Sequence, residues 1–278
     1  MSDIVTIQHP TILNMLSNSQ EFANVPLEDY VKMSNIMKTL GIKNYEPINI
    51  TKGCKTQKDI LKLVQIINSK NLNYEFLNLK LCNVTNNVIN ELVKNPKLSG
   101  LILNQSLVKN NEAQNVEILN NLSNLKNLQY LNLENNFQTY KNPLKFDFSK
   151  MIKLNKIDLS NNYINIETIE SLVKIKNLIY LNLENSKIIT IEGKSIEYPF
   201  IGEILTDYIY KMKNLEYLNL NHIIADEIYG EDIEEIQNIL DELKDNLKKL
   251  KYAKLDMLPK DERLIRFEIN PNVPIFNY

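Results

Sequence analysis

One nine-residue pattern recurs along the chain and constrains its fold more than any other feature. It has leucine or another apolar residue at positions one, four and six, and often asparagine at position nine. The clearest copy is Leu128–Asn136, which reads LQYLNLENN. A repeated pattern of this kind predicts one structural unit used many times. The fourth positions of the eight copies are Ile48, Leu77, Leu101, Leu131, Ile157, Leu181, Leu218 and Ala253.

The pattern L-x-x-L-x-L-x-x-N is the strand-and-turn signature of leucine-rich repeats, and residues 45–258 resemble that family. Helix-like apolar spacing follows several copies, as in 57–68, 85–93, 113–122 and 167–173. Such helical returns are similar to the ribonuclease-inhibitor-like, intracellular class. The resemblance implies an α/β fold: a right-handed solenoid, or horseshoe, with a parallel β-sheet on its concave side and helices and loops on its convex side.

Three segments follow from where the pattern begins and ends. Residues 1–44 lack it and have helical apolar spacing between Leu27 and Leu40, which predicts a helical N-terminal cap. The alternative is an adaptor segment, because Val25-Pro-Leu-Glu28 faintly resembles the opening of an F-box. Residues 45–258 form the predicted solenoid of about eight repeats. Residues 259–278 contain Pro271 and Pro274 and are predicted to cap the C-terminal end.

Alternation along a strand separates the residues that build the core from those that could bind a partner. With positions four and six facing inward, positions three, five and seven face the opposite way. Position nine turns inward, where an amide can bond the main chain, so Asn136 and Asn162 are predicted to be structural. The other columns contain tyrosine, asparagine and carboxylates, typical of a binding surface. The candidate partner-binding residues are Phe76, Asn78, Tyr130, Asn132, Glu134, Asp158, Tyr180, Asn182, Glu184, Tyr217, Asn219 and Tyr252.

The sequence argues against several other functions. A formal net charge of -2 does not favour nucleic-acid binding. The two histidines, His9 and His222, are far apart, and no phosphate-binding glycine loop is present. Cys54 and Cys82 are expected to be buried thiols. We therefore expect no enzyme activity, no cofactor and no metal. No apolar segment has the length of a membrane span, so we expect a soluble, cytoplasmic monomer.

The function that the sequence predicts is protein–protein interaction without catalysis. A protein partner would bind the concave face, as the family resemblance implies, and the carboxylates of that face would favour a partner with basic groups. Two alternatives stay open. The chain could be the substrate-recognition adaptor of a ubiquitin ligase, recruited through residues 1–44. It could also be a microbial effector that is exported and binds a host protein.

Overall fold

The computed structural model describes residues 75–192, 195–223 and 238–257. It also gives the backbone of 48–49 and 265–269 and five helical residues, namely Ile60, Leu61, Val64, Gln65 and Asn68. The chain divides into two compact units. Unit 1 comprises residues 1–132 with 275–278, and unit 2 comprises residues 133–274. Of the predicted end segments, residues 1–44 lie outside the described residues, and so does all of 259–278 except the backbone of 265–269.

The described residues of unit 1 form four short parallel strands, each from one copy of the sequence pattern. The strands pair in chain order, with Ile48 opposite Leu77, Leu77 opposite Leu101, and Leu101 opposite Leu131. These partners are the predicted fourth positions, so the register of the repeats is confirmed here. The strands are β1 (Ile48–Asn49), β2 (Phe76–Asn78), β3 (Gly100–Ile102) and β4 (Tyr130–Asn132).

Unit 2 continues the pattern with four more parallel strands and adds one antiparallel strand. Leu181 lies opposite Ile157 on one side and Leu218 on the other, and Leu218 lies opposite Ala253. The tail strand pairs antiparallel with the last repeat strand. The strands are β5 (Lys156–Asp158), β7 (Tyr180–Asn182), β10 (Tyr217–Asn219), β11 (Tyr252–Met257) and β12 (Ile265–Ile269).

Helices follow strands in both units, as the apolar spacing predicts. The second of them starts with a capping box, in which Asn111 and Gln114 each accept the other's backbone N–H at 2.9 Å. Ahead of the seventh repeat, residues 201–211 form a short α-helix followed by a π-turn, Ile204–Tyr208, and a 3₁₀ turn, Ile209–Lys211. The α-helices are α1 (Asn86–Leu92), α2 (Glu112–Leu122), α3 (Ile166–Val173), α4 (Ile201–Glu203) and α5 (Leu243–Asn246).

A second sheet in unit 2 occupies the segment between the sixth and seventh repeats. The sequence shows only a long excursion there, from Lys187 to Pro199. The structure forms a hairpin in it, and the hairpin pairs with the strand that precedes α3. The three strands are β6 (Tyr163–Asn165), β8 (Lys187–Glu192) and β9 (Ser195–Glu197), in that order across the sheet.

Position eight of six described repeats has a left-handed backbone conformation, with φ between 52° and 63°. None of these residues is glycine, and only three are asparagine, the residue type that tolerates this conformation best. The chain turns here from the strand into the return segment. His222 is one of them and is exposed. The six residues are Leu81, Gln105, Asn135, Asn161, Asn185 and His222.

At position nine of the fourth and fifth repeats, an inward-facing asparagine bonds the backbone of the turns. The amide oxygen of Asn162 accepts the backbone N–H groups of Asn136 and Phe137 at 2.9 and 2.8 Å. Its amide nitrogen donates to the carbonyl oxygens of Leu133, Leu159 and Ser160. Asn136 donates likewise to Leu133 O and Glu134 O. The predicted inward orientation of both asparagines is confirmed.

The core is formed by the apolar positions of the repeats together with one face of each helix. The leucines at positions four and six, such as Leu131 and Leu133, have no exposed surface. Burial of such side chains contributes about 1.5–3 kcal/mol each relative to exposure. The predicted α/β repeat fold is therefore confirmed in each unit. Among the described residues, no helix is both long enough and apolar enough to cross a bilayer.

Candidate partner-binding face

We call positions three, five and seven of the repeat strands the strand face, because their side chains lie on the opposite side of the sheet from the core leucines. Within each unit the strand register places equivalent positions side by side. Adjacent parallel strands are about 4.8 Å apart, so each column brings its side chains into contact. The predicted columns are thus present in both units.

In unit 1 the aromatic column is formed around a glycine. The rings of Phe76 and Tyr130 stack with their centroids 5.8 Å apart, although the strand of Gly100 lies between their strands. They can meet because Gly100 has no side chain. A Cβ at that position would overlap the ring of Phe76. Gly100 is therefore required for the packing of this column.

In unit 2 three tyrosines form one continuous stack. The ring of Tyr217 lies 4.3 Å from that of Tyr180 and 4.4 Å from that of Tyr252, and the rings are within 14° of parallel. Each aromatic pair of this kind contributes about 0.5–1.5 kcal/mol beyond its buried area. Lys156 continues the column on the other side of Tyr180, in register with it. Burial lowers the pKa of Lys156 to about 8, against an opposing effect of Glu216.

The strand face is far less exposed than its orientation suggests. Phe76 has no exposed surface, Tyr130 and Tyr252 keep 2%, and Tyr180 and Tyr217 keep 7%. In unit 2 the stacking hides both faces of Tyr217. Facing away from the leucine core therefore does not make these rings solvent-exposed. The face residues with appreciable exposure include Lys156, Glu134 and Glu184, all half-buried.

Position five has a structural role that the sequence analysis missed. Its side-chain oxygen accepts the backbone N–H of the residue two positions later, which fixes the end of the strand. The predicted binding residues Asn78, Asn182 and Asn219 and the carboxylate Asp158 share this geometry, with distances of 2.9 to 3.1 Å. These side-chain oxygens are thus committed within the chain, and the amide nitrogens of Asn182 and Asn219 donate to Asp158 and Glu184. Asn132 belongs to the same column and is 1% exposed.

A network of amides and carboxylates connects positions five and seven in unit 2. The carboxylate of Asp158 also accepts the Ser160 hydroxyl at 2.6 Å and the Asn182 amide at 3.0 Å. Burial raises the pKa of Asp158, and the hydrogen bonds from Ser160 and Asn182 oppose that rise. Glu134 accepts the amide of Asn161 at 3.4 Å. The carboxylates of this face are therefore held in place by neutral donors.

An ion pair between a lysine and a glutamate lies at one edge of the strand face in unit 2. Lys251 pairs with Glu216 at 2.6 Å, and both side chains are at position two of their repeats. Because both groups are substantially exposed, the pair contributes little to stability. Position two was not included in the predicted binding residues. The Lys251–Glu216 ion pair and the influence of Glu216 on Lys156 make this position the border of the face.

The β8–β9 hairpin presents a separate apolar surface. Ile191 and Ile196 lie directly opposite each other in the hairpin and are 41% and 36% exposed. Among the described residues, β9 is paired on one side only. This hairpin contains none of the predicted binding residues. It is the second candidate surface.

The described residues hold no group suited to metal chemistry. In that part of the chain, no three or more His, Cys, Asp or Glu side chains come together in a way that could hold a metal ion. Cys82 occupies position nine of its repeat and is 1% exposed, as expected of a buried thiol. Cys54 lies outside the described residues.

The comparisons with known proteins give similarities of fold only. No protein-family model matches the chain, and no curated protein matches it. Solved structures do match. An internalin of Listeria monocytogenes has 16% identity and a TM-score of 0.40, over 71% of this chain and 50% of that one. A leucine-rich-repeat protein of Leptospira interrogans has 19% identity and a TM-score of 0.39, over 74% and 42%.

A further solved structure is matched over a greater share of its own length. Internalin C2 of Listeria monocytogenes has 16% identity and a TM-score of 0.43, over 90% of this chain and 94% of that one. By contrast, the chain spans half or less of the other internalin and of the Leptospira protein. The fold assignment rests on this chain's own repeat pattern and strand register.

Proposed function

The chain is a leucine-rich-repeat protein, and we propose that it is a non-catalytic interaction module that binds a protein partner through its strand face. The partner would contact the edges of the tyrosine stack in unit 2 and the half-buried charged side chains beside it. No substrate would be transformed, because the carboxylates of this face serve as hydrogen-bond acceptors for neighbouring amides and hydroxyls.

The observation that carries this proposal is the continuous stack of Tyr180, Tyr217 and Tyr252. Tyrosine is enriched at the energetic centres of protein interfaces, where its ring supplies apolar area and its hydroxyl supplies a hydrogen bond. A stacked ring has already lost most of its rotational freedom. A partner that binds it therefore avoids part of the usual entropic cost of ordering an interface.

The charged residues around the stack support selectivity for particular partners. Lys156 lies at one end of the tyrosine column, and Glu134 and Glu184 lie in the neighbouring column of position seven. Complementary charges at an interface mainly determine which partner binds and how fast. A partner with an apolar or aromatic centre and basic groups at its border would match this arrangement.

The experiment that tests the proposal is photo-crosslinking from defined positions of unit 2. A benzoyl-phenylalanine replaces Lys156, where an aromatic side chain extends the existing column, and the full chain is exposed to an extract of its own source cells. A second protein carries the same crosslinker at Ile191 on the hairpin. A third carries it at Tyr140, a loop residue that is 44% exposed and lies outside both surfaces.

The expected result is one partner crosslinked from Lys156 and absent from the Tyr140 control. Addition of excess unlabelled chain should compete with that crosslink. A partner captured only from Ile191 would move the binding surface to the β8–β9 hairpin. Equal, weak labelling from all three positions would contradict a dedicated binding site on either surface.

The adaptor alternative depends on residues 1–44, which lie outside the described residues. Deleting them distinguishes the two roles predicted for that segment. Loss of a cap would lower the melting temperature of the repeats, whereas loss of an adaptor would leave the melting temperature unchanged and remove a second, separately bound protein. Export as an effector, the cytoplasmic location and the monomeric state stay predictions of the sequence.

A further inference from the structure

A single carboxylate in unit 2 is held on both of its oxygens by neighbouring amides. Glu184 Oε2 accepts the side-chain amide of Asn219 at 3.2 Å, and Oε1 accepts that of Asn221 at 3.1 Å. Asn219 and Asn221 are themselves connected, because the Asn221 backbone N–H donates to Asn219 Oδ1 at 3.0 Å. The orientation of the carboxylate is therefore fixed before any ligand arrives.

One acceptor beside this carboxylate has no donor. The amide oxygen of Asn221 is buried and has no hydrogen-bond partner, while the nitrogen of the same amide bonds Glu184 Oε1. Asn221 is only 4% exposed. Buried polar atoms are nearly always hydrogen-bonded, so this oxygen has an unused capacity for one hydrogen bond. Only a donor can use it, because the atom is a carbonyl-type oxygen.

The surrounding charge favours a cationic donor. Asp158 lies close enough for Glu184 to oppose its ionisation, so two carboxylates share this part of the face. Among the described residues the salt bridges join other pairs, and none includes Glu184. Its two partners, Asn219 and Asn221, are neutral. The negative charge of Glu184 thus has amide donors and no cation within the described part of the chain.

We propose that Glu184 and Asn221 together form the site for an arginine side chain of the protein partner. Neighbouring N–H groups of one guanidinium would donate to Glu184 Oε1 and to Asn221 Oδ1 at the same time. A guanidinium has five donors in a rigid planar fork, which suits two adjacent acceptors better than the single point charge of an ammonium. This inference rests on the proposed function, since it names the partner group that the strand face recognises.

The experiment measures the binding of a small arginine compound to the full chain. Nα-acetyl-arginine amide is titrated into labelled protein, and the side-chain amide resonances of Asn219 and Asn221 are followed by NMR. Two matched compounds accompany it: the citrulline analogue, which has the same shape without charge, and the lysine analogue, which has the charge without the fork. Charge-assisted hydrogen bonds require the positive charge, which citrulline lacks, and paired donation requires the planar fork, which lysine lacks.

Two variants and one control connect the binding to this site. Glu184→Gln removes the charge, and Asn221→Leu removes the orphaned acceptor together with the amide donor to Glu184 Oε1. Binding to the Asn221→Leu variant is followed at the Asn219 amide. Glu170→Gln is the control, because Glu170 is an exposed glutamate of the same unit that pairs with Lys174. Loss of one partner of a charged hydrogen bond typically weakens binding at least about tenfold. Melting curves show which variants remain folded, and each binding variant tests the site independently.

The expected result is a saturable shift at Asn221 with the arginine compound, weaker shifts with lysine and none with citrulline. Both site variants should lose about tenfold in affinity, and Glu170→Gln should match the wild type. Equal binding of arginine and citrulline would overturn the proposal. Shifts that persist in Glu184→Gln would also overturn it. Equal binding of lysine would overturn the assignment to a guanidinium.

The outcomes separate this inference from the proposed function. If a partner crosslinked from Lys156 binds the Glu184→Gln variant as tightly as the wild type, the proposed interaction module stands and the proposed arginine site is wrong. If the arginine compound binds specifically but no partner is crosslinked, the arginine site stands and the proposed function is wrong. A titration without any shift at Asn219 or Asn221 removes the inference alone.

Discussion

The amide oxygen of Asn162 accepts the backbone N–H of Asn136 at 2.9 Å, so the asparagine of one repeat holds the turn of the repeat before it. The same oxygen accepts the N–H of Phe137, and the amide nitrogen donates to three backbone carbonyl oxygens. Asn162 is 2% exposed. Its removal would leave several buried backbone groups without partners.

We therefore predict that Asn162→Ala lowers the free energy of unfolding of unit 2 by about 3 kcal/mol, since each buried group left unsatisfied costs about 1–3 kcal/mol. Asn162→Ser should be milder, because the position-nine serine of the next repeat, Ser186, donates to Leu159 O at 2.9 Å in the same way. Urea denaturation measures both. Equal losses for alanine and serine would show that the hydrogen bonds are not the cause.

Leu81 gives the opposite kind of prediction, a substitution that stabilises. It occupies position eight with φ of 63° and is 38% exposed, so a branched side chain is held in a left-handed conformation without much burial. Leu81→Asn should raise the free energy of unfolding by about 0.5–1 kcal/mol, because asparagine adopts this conformation more readily.

The control for Leu81 uses the same position of a different repeat. Asn185 has φ of 53° and is exposed, so Asn185→Leu should lower stability by a similar amount. Both changes are measured as shifts of the urea midpoint at constant slope. A stabilising effect of Asn185→Leu would contradict the conformational explanation.

The repeat pattern predicts the strand register because the same spacing of leucines recurs eight times. The fourth positions that it identifies are the residues that lie opposite each other within each unit. Position nine was also predictable, since an asparagine that follows the inward leucines has only backbone groups to bond. The left-handed residues at position eight were missed. Three of them are asparagine, but Leu81, Gln105 and His222 hide the signal.

The candidate site was harder to predict. The alternation of residues along a strand gives the side of the sheet on which a side chain lies, but not how much of that side chain is exposed to solvent. The spacing places Tyr180, Tyr217 and Tyr252 in one column but does not say that their rings stack and become buried. Likewise, Asn182 and Asn219 follow from the pattern, whereas their bonds to the backbone depend on side-chain rotation. The role of Asn221 depends on which of its two amide atoms finds a partner.

Gly100 provides a test of the aromatic column in unit 1. A Cβ at this position would overlap the ring of Phe76, which has no exposed surface and little room to move. Gly100→Ala should therefore cost about 1–3 kcal/mol, as overpacking of a tight core does. Intrinsic strand propensity alone would favour alanine over glycine. A destabilising result would thus identify the ring contact as the cause.

A double-mutant cycle isolates that contact. Phe76→Leu removes the stacking with Tyr130 and makes room above Gly100. In the Phe76→Leu background, Gly100→Ala should cost much less than in the wild type, with a coupling energy of about 1 kcal/mol. Strict additivity of the two changes would contradict direct contact between Phe76 and position 100. Circular dichroism melting of all four proteins gives the cycle.

Asp158 predicts a specific dependence of stability on pH. It is 1% exposed, and burial raises the pKa of its carboxyl, while hydrogen bonds from Ser160 and Asn182 work against that rise. The folded chain then holds a proton at pH values where the unfolded chain has already released it. The stability that Asp158 contributes is therefore greatest below its unfolded pKa of about 3.9 and is lost as the pH rises through the folded pKa.

Asp158→Asn removes this titration and inserts the residue found at position five of five other repeats. The free energy of unfolding of the variant, relative to the wild type, should increase as the pH rises above about 4. Asp147 is the matched control of opposite sign, because hydrogen bonds from Ser149 lower the pKa of that carboxyl. Relative to the wild type, Asp147→Asn should become less stable as the pH rises toward about 4, because a lowered pKa shifts the titration to below the unfolded value. Urea denaturation at several pH values measures both differences, and parallel curves for the two variants would show that the burial of Asp158 does not control its ionisation.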